Sequence, residues 1–210
     1  MKRSLFFLVL FMLTVFAKAQ TDSTAFPINS RIEDGIYLSY QDFRHNRAIK
    51  KDDIESSEDK SQQEFMSKVL FQEKLKVMYN GNSIVVEPKK IWGYFQNNTL
   101  YVNYQGDFYR VPVFGSICYL VANVTVVNSG FYDPRFGYSM GGTSKELREF
   151  MMDFYEGLPQ EFSMDKAEAL ISRDPTLYEE YKKLGRRKQK EQIYRYIRKY
   201  NEAHPIYFLK

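Results

Sequence analysis

The sequence predicts an α+β fold, an antiparallel β-meander or small barrel followed by a C-terminal helical segment packed on it. Three observations carry this reading. Between Leu75 and Val127, short apolar runs alternate with tight-turn signals such as Asn80-Gly81 and Asn97-Asn98. After Thr143 the apolar residues recur with a helical period and follow capping signals. Between the halves, residues 128–142 form a glycine- and aromatic-rich connection, longer than an ordinary linker.

From the start of the chain, Lys2 and Arg3 precede an uncharged, mostly apolar run from Ser4 to Phe16. Ala17-Lys18-Ala19 then puts small residues at the two positions a signal peptidase reads. Residues 1–19 are expected to be a secretory signal peptide cleaved after Ala19, because the run is short of the ~20 residues of a membrane span. The expected location is the periplasm, the cell envelope or the medium, with no transmembrane helix in the mature chain. Residues 20–127 form the expected β domain. Ile36 to Tyr40 is its first strand, the polar stretch Gln41–Asn46 one helical turn, and the acidic run 51–64 a mobile surface loop. From Phe65 onward the pattern reads as strand after strand: Leu75–Tyr79, Ser83–Glu87, Ile91–Gln96, Thr99–Tyr104, Phe108–Val113, and one long or two short strands over Ser116–Val127. In the helical segment, 143–210, Thr143 and Glu146 suggest a capping box, with Leu147, Phe150, Met151 and Phe154 on one face. A short helix capped by Asp165, one started by Asp174-Pro175, and a last one carrying Ile193, Tyr194, Ile197 and Tyr200 follow.

Composition narrows the chemistry. The net charge of +4 falls to +1 once Lys2, Arg3 and Lys18 leave with the leader, so overall charge makes no case for nucleic acid. One cysteine, Cys118, excludes an intramolecular disulfide and lies in an apolar run. Two histidines, His45 and His204, far apart in sequence, offer no metal-ligand spacing. No nucleophile elbow, phosphate cradle or cofactor motif is present, so neither catalytic, metal nor cofactor-binding residues are assigned.

Two features point to binding. The chain holds 17 Tyr and 17 Phe, and aromatics serve both cores and contact surfaces. Trp92, Tyr94 and Tyr101, with Tyr132 and Phe136 of the connection, are candidates for a ligand or partner surface, competing with the reading that they fill a core. The run Lys182–Lys199 carries nine basic residues and one acid. Arg187, Lys188 and Lys190 are its candidates for contact with an anionic surface, a glycan or an envelope protein, competing with a solvated helix face.

The segments Gly35-Ile36-Tyr37-Leu38-Ser39-Tyr40-Gln41-Asp42-Phe43, Ile91-Trp92-Gly93-Tyr94 and Tyr200-Asn201-Glu202-Ala203-His204-Pro205 resemble segments of a family of exported Bacteroidota proteins of no assigned activity. The resemblance implies compartment and lineage and transfers no catalytic residue. The expectation is an exported, non-enzymatic protein of binding or assembly, with a carboxylate-based exported hydrolase as the alternative.

Overall fold

The computed structural model describes residues 32–128, 132–133, 138–139 and 142–208. The chain runs through β1 (Gly35–Tyr37), the single-turn helix α1 (Tyr40–Arg44), a 3-10 turn at Lys51–Asp53 and β2 (Ile54–Glu55). Helix α2 (Phe65–Leu70) leads into the hairpin β3 (Leu75–Tyr79) and β4 (Asn82–Val86). A 3-10 turn at Pro88–Lys90 feeds the meander β5 (Gly93–Gln96), β6 (Thr99–Tyr104) and β7 (Asp107–Arg110). The strands β8 (Ile117–Asn128), β9 (Tyr132–Asp133), β10 (Tyr138–Ser139), β11 (Gly142–Asp153) and β12 (Pro159–Glu161) precede α3 (Met164–Ile171), α4 (Pro175–Lys182) and α5 (Arg186–Ala203).

All strand pairings are antiparallel. The sheets are β2-β3-β4, β1-β5-β6-β7 and β12-β11-β8, with β9-β10 a small pair. They stay open, so the meander does not close into a barrel. Turn chemistry sets the hairpins: Asn80-Gly81, Asn97-Asn98 and Gln105-Gly106 all have positive φ, the backbone whose twist matches paired strands.

Alternation of side chains builds four layers. One face of the central sheet, including Ile36 and Tyr94, packs on Ile54, Phe65, Leu75 and Val77. Its other face, with Tyr37, Phe95, Leu100 and Val102, packs on Cys118, Leu120, Ala122, Phe150 and Met152 of the β8-β11 sheet. The outward residues Ile117 and Met151 of that sheet receive Ala167, Ile171, Leu177, Tyr181, Ile193 and Ile197 from the helices. The C-terminal helices thus pack on the sheet through their apolar stripe, and the basic side chains of α5 are exposed or half-exposed.

The free edge of β8 is covered by side chains and one loop. The amide of Asn201 on α5 accepts from Ile117 N at 2.7 Å and donates to Ile117 O at 2.8 Å. Tyr119 N donates to Val113 O at 2.9 Å. Tyr109 Oη donates to Asn123 O at 2.8 Å, and Thr125 N donates to Gln105 Oε1 at 3.3 Å. An uncovered strand edge would pair with other chains.

Several expectations are corrected. Thr143 does not cap a helix: residues 142–153 are strand, paired residue by residue with 117–128. Leu147, assigned to the helical stripe, is 71% exposed. Phe150, Met151, Met152 and Phe154 are all buried because both faces of the strand are covered at that end, and a doubly covered strand imitates a helical stripe. Phe65–Leu70 is helix rather than strand, burying Phe65, Met66, Val69 and Leu70. The acidic run is not loop throughout: it holds the 3-10 turn and β2, anchored by buried Ile54. The cap of α3 is Ser163, whose hydroxyl accepts from Lys166 N at 3.2 Å, not Asp165. The start of α4 agrees with expectation, with Asp174 accepting from Leu177 N at 3.0 Å and Pro175 in the first turn.

Candidate functional site

A groove of about 460 Å³ opens where the end of α2 meets the β6–β7 turn. Its walls carry Leu70, Phe71, Glu73, Lys89, Asp107 and Phe108, and Tyr94 lies at its base. Helix α2 places Leu70 in the core, and the chain then turns toward β3. That change of direction leaves Phe71 93% exposed at the rim, the most exposed large apolar side chain among the described residues.

The floor is rigid. Tyr94 stacks on its cross-strand neighbour Tyr101 at 4.5 Å and 3°, and Phe108 meets Tyr94 edge-on at 5.4 Å. Such offset and edge arrangements are the favourable ones for aromatic rings. Burial, and then the nearby Tyr101, push the Tyr94 hydroxyl above its ordinary range, so it stays protonated at neutral pH. The wall is clamped by Asn103, which donates to Lys89 O at 3.0 Å and accepts from Gly106 N at 3.0 Å. This joins the Pro88–Lys90 turn to the β6–β7 turn. Carboxylates, an ammonium and amides thus ring an aromatic floor, the composition of a small-ligand site.

Of the residues singled out from sequence, Tyr94 lines this groove, and Tyr101 stacks on Tyr94 without lining the groove. Tyr94 is only 7% exposed, so it is floor rather than open platform. Trp92 is elsewhere: its ring stacks on Phe43 at 4.7 Å, and Nε1 donates to Gly157 O at 3.0 Å. Half-buried, it packs against the aromatic core that holds Tyr37, Phe43, Phe154 and Phe208. Tyr132 lies in β9, and Phe136 lies outside the described residues. Arg187, Lys188 and Lys190 are exposed on α5, with Arg187 paired to Glu191 at 2.9 Å. Sequence reasoning passed over Phe71, Glu73, Lys89 and Asp107. Their one signal was an aromatic just past an apolar run, without a partner at strand or helix spacing.

A larger cavity of about 800 Å³ lies beside Asp34, Asn97, Asn98 and Arg110, and a smaller one of about 200 Å³ is lined by Asp153, Glu156, Lys166 and Arg173. Asp153 is buried, but both its oxygens are engaged, Oδ1 by Tyr155 N at 2.8 Å and Oδ2 by Arg173. Its carboxylate therefore holds Arg173 and the Tyr155 turn rather than facing a substrate. Among the described residues no group of three or more His, Cys, Asp or Glu could hold a metal ion, and no helix is long and apolar enough to cross a membrane. Cys118 is buried, and desolvation pushes its thiol up to about 12. Comparison of the chain with protein-family models, with curated proteins and with solved structures finds no match.

Proposed function

We propose that this is an exported binding protein, without catalytic activity, whose groove beside Phe71 takes a saccharide ring. The observation that carries the reading is Phe71 itself, fully presented to solvent above a preformed aromatic floor. A pyranose offers a C–H face that lies against an aromatic ring and an equator of hydroxyls that need donors and acceptors. Phe71 and Phe108 suit the first, and Gln72, Glu73, Lys89 and Asp107 surround them to serve the second. The leader read at residues 1–19 and the resemblance to exported Bacteroidota proteins support a location where glycans are met. The hydrolase alternative gains no support from the Asp153 cavity, whose carboxylate is already committed to Arg173.

The test is titration calorimetry of the protein from Gln20 onward against a panel of neutral oligosaccharides. At least one should bind, and Phe71→Ala should weaken it about tenfold, roughly 1.4 kcal/mol. Because Phe71 packs on so little, its removal should leave the melting temperature nearly unchanged. Affinity for no saccharide, or equal affinity of the variant, overturns the assignment. Preference for aromatic peptides would transfer the groove to a protein ligand.

A further inference from the structure

The end of α4, the turn after it and the outer face of α5 carry charge that folding does not use. Between Lys182 and Glu202 there are nine basic residues and two acids, while the mature chain as a whole is close to neutral. The cationic charge is therefore concentrated in this one segment. Three of the nine are paired: Lys182 with Glu168 at 3.4 Å, Arg187 with Glu191 at 2.9 Å, and Lys199 with Glu180 at 2.6 Å. The other six, Lys183, Arg186, Lys188, Lys190, Arg195 and Arg198, are exposed, and none makes an ion pair among the described residues. The remaining acid of the segment, Glu202, lies at its far end.

Their placement opposes helix stability. Arg186, Arg187 and Lys188 fill the first turn of an 18-residue helix that has no acid there and no side-chain cap. The N-terminus of a helix is its positive end, so cations at that position are unfavourable. Ile193, Tyr196, Ile197 and Tyr200 already dock the helix through its opposite side. Arg187, Lys188, Arg195 and Arg198 cover the outward side of the helix, and Arg186 and Lys190 flank the docked stripe near the helix start, all of them exposed. That breadth matches a flat anionic surface better than a single linear polyanion. No large apolar side chain is exposed among them, so contact would be electrostatic and without insertion.

From this arrangement we infer that the α5 face adsorbs the protein reversibly to an anionic lipid surface through its headgroup phosphates. The α5 layer and the aromatic groove are separated by two sheets, so adsorption through α5 does not cover the groove. The inference does not depend on what the groove binds.

Co-sedimentation tests it, with vesicles of phosphatidylcholine containing about 30 mol% phosphatidylglycerol, at about 50 mM and about 500 mM salt. The protein should bind at low salt, release at high salt, and ignore pure phosphatidylcholine. Each interfacial cation contributes roughly a fivefold partition factor. Replacing Lys188, Lys190, Arg195 and Arg198 by Gln should thus lower binding on the order of 100-fold to 1000-fold. A control with Lys60→Gln, Lys74→Gln, Lys90→Gln and Lys145→Gln removes equal charge elsewhere and should bind like wild type. Circular dichroism confirms that both variants fold. Equal binding of the α5 variant, equal loss in the control, or binding to pure phosphatidylcholine overturns the inference. So does retention on a heparin column with no vesicle binding, which would assign the face to a soluble polyanion.

Discussion

Asn201→Ala should destabilise the protein far more than its half-exposed position suggests. The Asn201 amide makes two hydrogen bonds to the same peptide unit, accepting from Ile117 N at 2.7 Å and donating to Ile117 O at 2.8 Å. It does so at the point where β8 leaves its partner strand on one side and faces α5 on the other. Each bond contributes about 0.5–1.5 kcal/mol, and a backbone group left buried without a partner costs about 1–3 kcal/mol more. Ile117 is 1% exposed, so water replaces the amide poorly, and a total of about 2–4 kcal/mol follows. For a chain of this size that lowers the melting temperature by roughly 5–15 °C. Gly115 supplies an internal check. A Cβ there would stand 2.5 Å from Asn201 Cγ and 2.6 Å from Nδ2, so Gly115→Ala should expel the same amide. Once Asn201 is Ala, only its Cβ remains near, at 2.9 Å, and a small shift of the last turn of α5 accommodates it. The double variant should therefore cost less than the sum of the singles by about 1–3 kcal/mol. Melting of the four proteins, followed by circular dichroism, decides the matter. A shift below about 1 °C for Asn201→Ala, or simple additivity, would falsify the claim that this amide fastens α5 to the β8 edge.

Three further outcomes are expected. Gly157→Ala should cost about 2–5 kcal/mol in denaturant unfolding, because Gly157 has φ +72° and a Cβ would lie 2.3 Å from the Tyr40 ring; Trp92→Phe, which loses the bond to Gly157 O and part of the ring packed on Phe43 and Tyr40, should cost about 1–3 kcal/mol. Asp174 is held below the ordinary carboxylate range, first by the Leu177 N–H and then by His204; its contribution is complete above the unfolded value near ~3.9 and is lost as pH falls through the folded one, so Asp174→Asn should flatten the acid limb of the stability curve, and an unchanged limb contradicts it. The Cys118 thiol, buried and pushed up to about 12, should resist a disulfide reagent at pH ~8 in the native protein and react at once in guanidinium; stability should decline as pH rises past ~8.5, where only the unfolded chain ionises.

The sequence by itself determined what local chemistry encodes. The Asn- and Gly-bearing turns at 80–81, 97–98 and 105–106 demand positive φ and therefore hairpins. Asp174-Pro175 combines a cap with a residue that starts helices and does not continue them. The stripe Ile193, Tyr194, Ile197 and Tyr200 marked the docked side of α5, although Tyr194 is only half-buried and Tyr196, outside the stripe, is buried. Wherever burial on two faces erased the period, only the tertiary structure decided. Residues 142–153 have helix-like spacing, yet their partner strand lies across the 128–142 connection, and the helices that cover their second face come still later in the chain. Phe65–Leu70, apolar and short, fits either state, and packing over the central sheet made it helix. Tyr94 and Trp92, two residues apart, would share a face of a regular strand, but Trp92 precedes β5, so Tyr94 faces the groove side while Trp92 packs on Phe43 on the other. The groove has no sequence motif because it is assembled from α2, two turns and two strands. Only the folding of those segments onto one sheet face brings Phe71, Lys89 and Phe108 together, and no local pattern can specify a contact that the chain makes by packing.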